Sequence, residues 1–168
     1  ANGIANDPLA AATLESNQAG AQFGGSVAGA GDVNGDGYAD LLIGAADYDG
    51  GHLDEGRASL YLGSAGGIGT NSLASATFES DQASAKLGAA VAGAGDTNGD
   101  GFADILIGTP DYDEGQANEG RVDVYLGTAA GIVTGAPPTA SFQSGQITGT
   151  LGVAAAGVGD VDGDGYSD

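Results

Sequence analysis

Apolar residues along this chain fall into short runs of period two, and glycine-rich or Asx-rich segments separate one run from the next. This period is typical of β-strands, because successive side chains of a strand point to opposite faces of the sheet. The pattern predicts four strands, A to D, that occur twice, and it predicts no helix. The first set covers residues 26–30, 39–43, 58–62 and 76–79, and the second covers 90–94, 103–107, 122–126 and 140–143.

Strand C of the second set alternates most clearly. One side of this strand carries Val122, Val124 and Leu126, and the other side carries Asp123 and Tyr125. The distribution predicts one buried face and one mixed face for the sheet.

The whole pattern repeats at an interval of sixty-four residues, and the repeats align without a gap. A period of this length indicates an array of similar structural units rather than an isolated motif. We expect a single repeat domain over residues 1–168, cut from a longer array. Its parts are the end of a preceding repeat at 1–25, two repeats at 26–89 and 90–152, and the start of a third at 153–168. The partial units should add a strand D at residues 12–15 and a strand A at 153–156.

An acidic nine-residue loop follows strand A in every unit, at residues 32–40, 96–104 and 160–168. Oxygen-bearing side chains stand at positions 1, 3, 5 and 9, and a glycine at position 6 permits a sharp turn. With the carbonyl of position 7 as a fifth donor, the loop suits Ca2+ better than the strictly octahedral Mg2+. The predicted metal ligands are Asp32, Asn34, Asp36, Tyr38, Asp40, Asp96, Asn98, Asp100, Phe102, Asp104, Asp160, Asp162, Asp164, Tyr166 and Asp168.

Other interpretations of these loops explain less. A metal-free Asx turn would hold several carboxylates together at neutral pH with no cation to offset their repulsion. An EF-hand or dockerin site requires an acid at position 12 and a following helix, but Ile43 and Ile107 stand there within predicted strands. We expect weaker occupancy of the third loop, because no strand B follows Asp168 in this sequence to order it.

Four short strands in each unit predict an all-β fold in which every unit is a four-stranded antiparallel blade of a β-propeller. The alternative architecture is a parallel β-roll bound to calcium. A β-roll requires calcium nonapeptides in immediate tandem, whereas this chain has one nonapeptide in each sixty-four residues. The spacing therefore favours propeller blades.

The same residues resemble the FG-GAP repeats of integrin alpha-subunit propellers and of bacterial-type extracellular proteins. Phe23-Gly24 stands at the Phe-Gly of the motif, and Gly44-Ala45-Ala46 stands at its Gly-Ala-Pro. The second unit carries Leu87-Gly88 and Gly108-Thr109-Pro110, and the third carries Leu151-Gly152. The resemblance implies a fragment of a propeller that typically has seven blades, with its ligand surface on the face opposite the calcium loops.

Composition restricts the partners and the location. Twenty-three acids against three basic residues give a formal net charge of −20, which disfavours nucleic acid and anionic membranes as partners. Ten of these acids lie in the three loops, so part of the negative charge comes from the predicted metal ligands. The chain has no cysteine, and therefore no disulfide or thiolate metal site. No apolar run could span a bilayer, so we expect no membrane insertion and a secreted or cell-surface protein whose export signal has been removed.

The connection between strands B and C is a second acidic segment, with Asp47, Asp49, Asp54 and Glu55 in the first unit and Asp111, Asp113, Glu114 and Glu119 in the second. The alternative interpretation of this segment is a site for a ligand or another cation. Its spacing differs between the units and lacks a calcium pattern, so we interpret it as a solvated loop. It should emerge on the face opposite the calcium loops, where a protein or glycan ligand would dock. His52, the only histidine, lies in this connection and is interpreted as a surface residue.

The sequence thus predicts a calcium-binding propeller module that mediates adhesion or ligand binding. The alternative is a non-catalytic scaffold in a secreted multidomain enzyme such as a polysaccharide-degrading protein. Catalysis by the chain itself is disfavoured, because there is no cysteine, one histidine and no recurring acid pair outside the loops. An array of about two and a half blades leaves its end faces open, so missing blades or self-association should complete the fold.

Overall fold

The computed structural model describes residues 12–168, and regular secondary structure in this part of the chain consists of eight β-strands. The first blade contains β1 (Ser26–Gly31), β2 (Asp40–Ala45), β3 (Arg57–Tyr61) and β4 (Ala76–Glu79). The second blade contains β5 (Ala90–Gly95), β6 (Asp104–Thr109), β7 (Arg121–Tyr125) and β8 (Ala140–Gln143). Each blade is an antiparallel sheet whose strands lie in chain order, which confirms the predicted architecture.

Every strand of these two blades lies within two residues of its predicted range, and β4 and β8 match their ranges fully. The two predicted outlying strands are absent, because residues 12–15 and 153–156 have irregular structure. A strand is held by hydrogen bonds to a neighbouring strand. Within residues 12–168, no strand C lies beside 12–15 and no strand B lies beside 153–156. The period-two pattern predicts that these segments tend to form strands, but hydrogen bonding to a neighbouring strand decides whether they do.

The first strand of each blade bends where it enters its acidic loop. The pairing of β1 with β2 shifts register between Gly29 and Gly31, and the pairing of β5 with β6 shifts between Gly93 and Gly95. Such an irregularity increases the local twist and redirects the chain. The bend therefore turns each acidic loop away from the line of its strand.

The two blades pack face to face through a continuous apolar core. Leu42 and Leu60 of the first blade are fully buried in one cluster with Ile105 and Ile107 of the second. At the outer part of this interface, the Phe78 and Tyr125 rings pack with centroids 4.5 Å apart and planes tilted by 52°. Tilted aromatic pairs at this separation are favourable beyond the area that they bury. The interface between the blades is thus the core of the molecule.

The outward face of the second blade is apolar, like the face of the first blade that packs in the interface, but no other blade packs against it in the described structure. Phe142 occupies the repeat position of Phe78, yet its side chain is 58% exposed whereas Phe78 is 4% exposed. Val122 and Val124 are half-buried on the same face. The alternation predicted for strand C is therefore present, but its more buried side is the one that carries Asp123 and Tyr125, because the first blade covers that side.

Glycines allow the blades to meet closely at one repeated point. A Cβ added to Gly44 would lie 1.9 Å from the Gly88 carbonyl oxygen, and Gly88 itself has φ +83°. Across the same contact, Ser26 Oγ donates a hydrogen bond of 2.7 Å to the Gly88 oxygen. Gly88 N in turn donates one of 3.0 Å to Gly108 O of the second blade. Any larger side chain at Gly44 would separate the backbones. The glycines of the repeated motif therefore serve blade packing.

We expect Phe78→Ala to lower the free energy of unfolding by about 3–5 kcal/mol, because the variant leaves a cavity between the blades. The matched Phe142→Ala should cost less than about 1 kcal/mol, since its ring is mostly in solvent. Urea unfolding in dilute solution and saturating calcium measures both values. Equal costs at the two positions would contradict the described packing.

Candidate metal centres

The three acidic loops have one hydrogen-bonding pattern around their first residue. Asp32 Oδ1 accepts hydrogen bonds from Gly35 N at 2.7 Å and Asp36 N at 3.1 Å, and Asp32 Oδ2 accepts one from Gly37 N at 2.8 Å. Asp96 and Asp160 accept from the corresponding amides of their own loops. The backbone therefore wraps around the carboxylate at position 1, as an Asx-rich turn does.

Positions 3, 5 and 7 continue this turn. Asn34 Oδ1 accepts from Asp36 N at 3.2 Å, and Asp36 Oδ1 accepts from Tyr38 N at 3.0 Å. The second loop repeats both bonds at 3.0 Å. Each of these side-chain oxygens retains a further lone pair after accepting one amide proton. The loops therefore keep acceptor capacity at every predicted side-chain ligand of positions 1, 3 and 5.

The aspartate at position 9 is buried and connects three segments of its blade. Asp40 is 3% exposed, and its Oδ2 accepts from Val33 N at 2.8 Å while its Oδ1 accepts from Gly63 N at 2.8 Å. Asp104 makes the equivalent bonds, from Thr97 N at 2.8 Å and from Gly127 N at 2.9 Å. Position 9 thereby links the acidic loop, the start of strand B and the connection that follows strand C.

The third loop forms the same turn, but fewer hydrogen bonds hold its position-9 aspartate. Asp168 is exposed, and its Oδ2 accepts from Val161 N at 2.7 Å. Among the described residues, Asp168 has no counterpart of the bonds that Gly63 and Gly127 donate to the other two aspartates. Weaker occupancy of the third loop stays a prediction.

The donor chemistry of the loops fits a hard cation. Carboxylate oxygens of Asp160, Asp162 and Asp168 lie within 4.8 Å of one another. The first and second loops have the amides of Asn34 and Asn98 at position 3, so all their side-chain donors are also oxygens. Sets of carboxylate, amide and carbonyl oxygen are typical of Ca2+ sites rather than of zinc sites.

The connections between strands B and C, here called the B–C loops, are residues 46–56 and 110–120. Both contain a glutamate whose burial the sequence interpretation as solvated loops missed. Glu55 is 0% exposed and Glu119 is 3% exposed, whereas Asp49 and Asp113 are exposed as expected. The signal available in the sequence was a Glu-Gly pair at the same repeat position in both units.

These two glutamates close their own loops. Glu55 Oε1 accepts from Gly51 N at 2.5 Å, and its Oε2 lies 3.2 Å from Nδ1 of the exposed His52. Burial alone would raise the pKa of Glu55, but the hydrogen bonds from Gly51 and His52 outweigh it and hold the pKa below its usual value. Glu119 Oε1 accepts from Glu114 N at 2.9 Å and Gly115 N at 2.7 Å.

A glutamine from the preceding repeat fixes each B–C loop. Gln18 Oε1 accepts from Asp49 N at 2.8 Å while Gln18 Nε2 donates to Asp49 O at 2.9 Å. Gln82 makes the same reciprocal pair with Asp113, at 2.7 and 2.9 Å. In the first B–C loop, Lys86 Nζ also lies 2.6 Å from Asp47 Oδ1. The B–C loops are therefore held by their neighbours despite their exposed tips.

A buried ion pair lies on the inner face of the second blade. Arg121 Nε is 2.9 Å from Asp123 Oδ2, and Ser141 Oγ donates to Asp123 Oδ1 at 2.6 Å. Burial raises the pKa of Asp123 despite both partners. Burial, together with the charge of Asp123, also raises the pKa of Tyr125 to about 12. The Arg121 guanidinium in addition stacks 3.8 Å from the Tyr112 ring, which joins this ion pair to the second B–C loop.

A further cluster of three carboxylates is less suited to bind a cation. Glu55, Glu79 and Asp81 place carboxylate oxygens within 4.8 Å of one another. Glu79 is already bonded to Arg57, and Glu55 is bonded within its own loop. Two of the three carboxylates therefore have protein partners, and the group does not repeat between the blades.

Stacked four-stranded meanders with an acidic loop between the first two strands define a repeat protein of the propeller-blade class. The sequence model of the FG-GAP repeat matches residues 23–61 and 87–125, which include strands A to C of both blades. The chain belongs to the FG-GAP repeat family, as the motif resemblance predicted. No helix among residues 12–168 is both long and apolar enough to cross a membrane.

Integrin alpha subunits are among the relatives that this chain matches. The chain is 36% identical to integrin alpha-4 of Xenopus laevis over 160 residues, which is 89% of this chain and 14% of that protein. It is 36% identical to human integrin alpha-IIb over 163 residues, or 92% of this chain and 15% of the relative. Integrin alpha-PS2 of Drosophila melanogaster is 35% identical over 164 residues, with 90% and 11% covered. The chain thus spans a small part of the length of these relatives.

We expect Glu55→Gln to lower the free energy of unfolding at pH 7 by about 1–3 kcal/mol, because the amide replaces a buried charged acceptor. Since the folded-state pKa of Glu55 lies below the ordinary value of 4.5, its contribution is present above that pH and is lost as pH falls through the folded pKa. The difference between Glu55→Gln and the parent should therefore shrink in acid.

The matched control for this prediction is Glu114→Gln, which neutralises an exposed glutamate of the second B–C loop. It should change stability by no more than about 0.5 kcal/mol. Denaturant titrations at several pH values test both variants. A Glu55→Gln penalty that stays constant with pH would contradict the assigned role of the carboxylate.

Proposed function

We propose that this chain is a calcium-binding propeller module of a secreted or cell-surface protein, and that it mediates adhesion or protein binding. The observation that supports the proposal most strongly is the threefold recurrence of one oxygen-lined loop at the same edge of successive repeats. FG-GAP membership and the similarity to integrin alpha subunits add to it. The opposite edge carries the B–C loops, since consecutive connections of an antiparallel meander alternate between its two ends.

In each loop, we assign calcium binding to the side chains at positions 1, 3, 5 and 9 and to the carbonyl at position 7. For the first loop these residues are Asp32, Asn34, Asp36 and Asp40 with the Tyr38 carbonyl. Bound calcium supplies positive charge among clustered carboxylates and has a structural role. Because Asp40 also accepts bonds from Val33 and Gly63, an ion held by Asp40 stabilises the loop and the connection after strand C together.

Calcium removal should destabilise the fold. Binding to the native state alone contributes about 2.7 kcal/mol for each site at one hundred times the dissociation constant. Thermal unfolding in millimolar calcium should therefore occur at a higher temperature than in excess EDTA. Coincident melts would contradict calcium binding by the loops.

Variants of single loops test which loops give rise to the calcium-induced increase in melting temperature. Asp36→Ala and Asp100→Ala each remove a position-5 ligand from a loop whose position-9 aspartate is buried, so each should reduce the calcium-induced rise in melting temperature. The matched Asp164→Ala affects the exposed third loop and should reduce the rise less. If Asp164→Ala has the largest effect of the three, the proposed order of the sites is wrong.

We assign ligand binding to the edge formed by the B–C loops. Asp49 and Asp113 are exposed there, and Leu53 at the tip of the first loop is 67% exposed. The glutamine pairs and the buried glutamates hold these tips in place, which lowers the entropic cost of binding a partner. Exposed acids favour a protein surface or a glycan that presents positive charge or hydroxyl groups.

An array of immobilised matrix proteins and glycans tests the ligand-binding assignment with the labelled chain. We expect calcium-dependent retention on at least one member, and we expect Asp49→Asn with Leu53→Ala to abolish it. A loop-distal pair such as Thr70→Ala with Ser72→Ala, in the connection after strand C, should leave retention unchanged. Absence of retention, or equal loss in both pairs, would favour the alternative of a non-catalytic scaffold in a secreted multidomain enzyme.

We further propose that another blade, or a second copy, covers the outward face of the second blade. The support is the contrast between Phe142 and its repeat equivalent Phe78, which the neighbouring blade buries. Large exposed apolar faces are unfavourable in water, and each blade of a propeller contacts two others. In the complete assembly, Phe142 should contribute as much stability as Phe78 does in the pair of blades described.

A further inference from the structure

We propose that neighbouring calcium loops are coupled through the aromatic residue at position 7, so that calcium in one loop strengthens calcium binding in the loop of the preceding blade. The inference rests on the proposed calcium sites and adds a positioning role for Phe102 and Tyr166. It concerns the side chains of position 7, whereas the proposed metal ligand at that position is the carbonyl.

The ring at position 7 lies against the position-4 glycine of the preceding loop. A Cβ added to Gly35 would be 2.6 Å from Phe102 Cε1, and one added to Gly99 would be 2.2 Å from Tyr166 Cε1. A glycine is required at both places, because any side chain would displace the ring. The contact therefore repeats between the first and second loops and between the second and third.

The glycine under each ring belongs to the turn that forms the metal site. Gly35 N donates at 2.7 Å to Oδ1 of Asp32, whose carboxylate is the proposed position-1 ligand. Gly99 N makes the same 2.7 Å bond to Asp96. Covering this glycine restricts the peptide that orients the first carboxylate. The ring thus acts on the ligand of a loop other than its own.

A main-chain bond accompanies each ring. Ala103 N, next to Phe102, donates to Asp32 O at 2.9 Å, and Ser167 N, next to Tyr166, donates to Asp96 O at 2.9 Å. Positions 7 and 8 of one loop therefore contact position 4 and position 1 of the loop before it. This two-point contact constrains the preceding turn more than a single contact would.

The coupling follows from the two roles of position 7. Calcium bound through the Phe102 carbonyl would fix the backbone of residue 102, and that backbone carries the ring and the neighbouring amide that brace the first loop. A prearranged first loop loses less conformational freedom when it binds calcium, and therefore binds more tightly. By linkage, calcium in the first loop must strengthen binding in the second by the same factor.

The first loop supplies an internal control. Tyr38 has the same position-7 role in its own loop, but its ring contacts no position-4 glycine of a calcium loop among residues 12–168. Alanine at either position keeps the backbone carbonyl and the Cβ that lies beside Gly63 or Gly127. Phe102→Ala and Tyr38→Ala therefore differ chiefly in the ring contact between loops.

The experiment measures the calcium affinity of the first loop by titration calorimetry in an Asp164→Ala background, which disables the third loop. The coupling factor is the ratio of this affinity with the second loop intact to the affinity after Asp100→Ala disables it. We expect a factor of about five or more for the parent background, within the range usual for coupled sites. Phe102→Ala should reduce the factor to about one, whereas Phe102→Tyr and Tyr38→Ala should retain it.

The outcomes separate this inference from the proposed function. Calcium binding to both loops with a factor of one in the parent background would overturn the coupling and leave the calcium sites in place. No calcium binding at all would overturn the proposed sites themselves. Equal loss of coupling in Phe102→Ala and Tyr38→Ala would also overturn the role of the ring.

A glycine pair keeps the inference testable if Phe102→Ala fails to fold. Gly35 and Gly37 of the first loop both have positive φ, at +72° and +90°, so alanine is strained at either position. A Cβ at Gly37 meets nothing within 4 Å, whereas a Cβ at Gly35 meets the Phe102 ring. In the otherwise unmodified chain, Gly35→Ala should therefore reduce the calcium-induced rise in melting temperature more than Gly37→Ala does. An equal reduction would contradict the ring contact.

Discussion

A buried aspartate at the end of each of the first two acidic loops holds separate segments of its blade together. Asp40 and Asp104 satisfy backbone amides from two separate segments of their blades while they begin the second strand. A buried carboxylate without such donors would be strongly unfavourable. The same residue is also the last proposed ligand of its loop. The fold of each blade and the proposed metal site therefore share one side chain.

The two edges of the blades differ in the loops that they carry and in the bonds that connect them. The edge with the acidic loops is connected across the blades by hydrogen bonds such as that from Thr128 N to Val33 O at 3.0 Å. The edge with the B–C loops is connected by the glutamine pairs and carries exposed tips. In the proposed function, the rigid sheet between these edges would let a structural ion bind at one edge while a partner binds at the other. Binding residues often lie on loops that a rigid scaffold positions in this way.

The strands and the repeated loops could be predicted from the sequence because their signals are local. Period-two alternation identified the strands, and the oxygen pattern with glycine at position 6 identified the loops. The structure of residues 12–15 and 153–156 could not be predicted in the same way, since no strand pairs with either segment within the described residues 12–168. Burial of Glu55 was also missed, because charge alone does not reveal that the loop folds its amides around a carboxylate. The contact of Phe102 with Gly35 joins two repeats, and no local pattern reports it.

We propose that calcium stabilises the hydrogen-bond network around the buried aspartates, and amide hydrogen exchange is the most direct test. The informative amides are those of Val33, Gly63, Thr97 and Gly127, which donate to Asp40 and Asp104. Protection of these amides should fall by about tenfold or more when EDTA removes calcium, since loss of a bound ion lowers the free energy of local opening. Unchanged protection of all four amides after calcium removal would contradict the account.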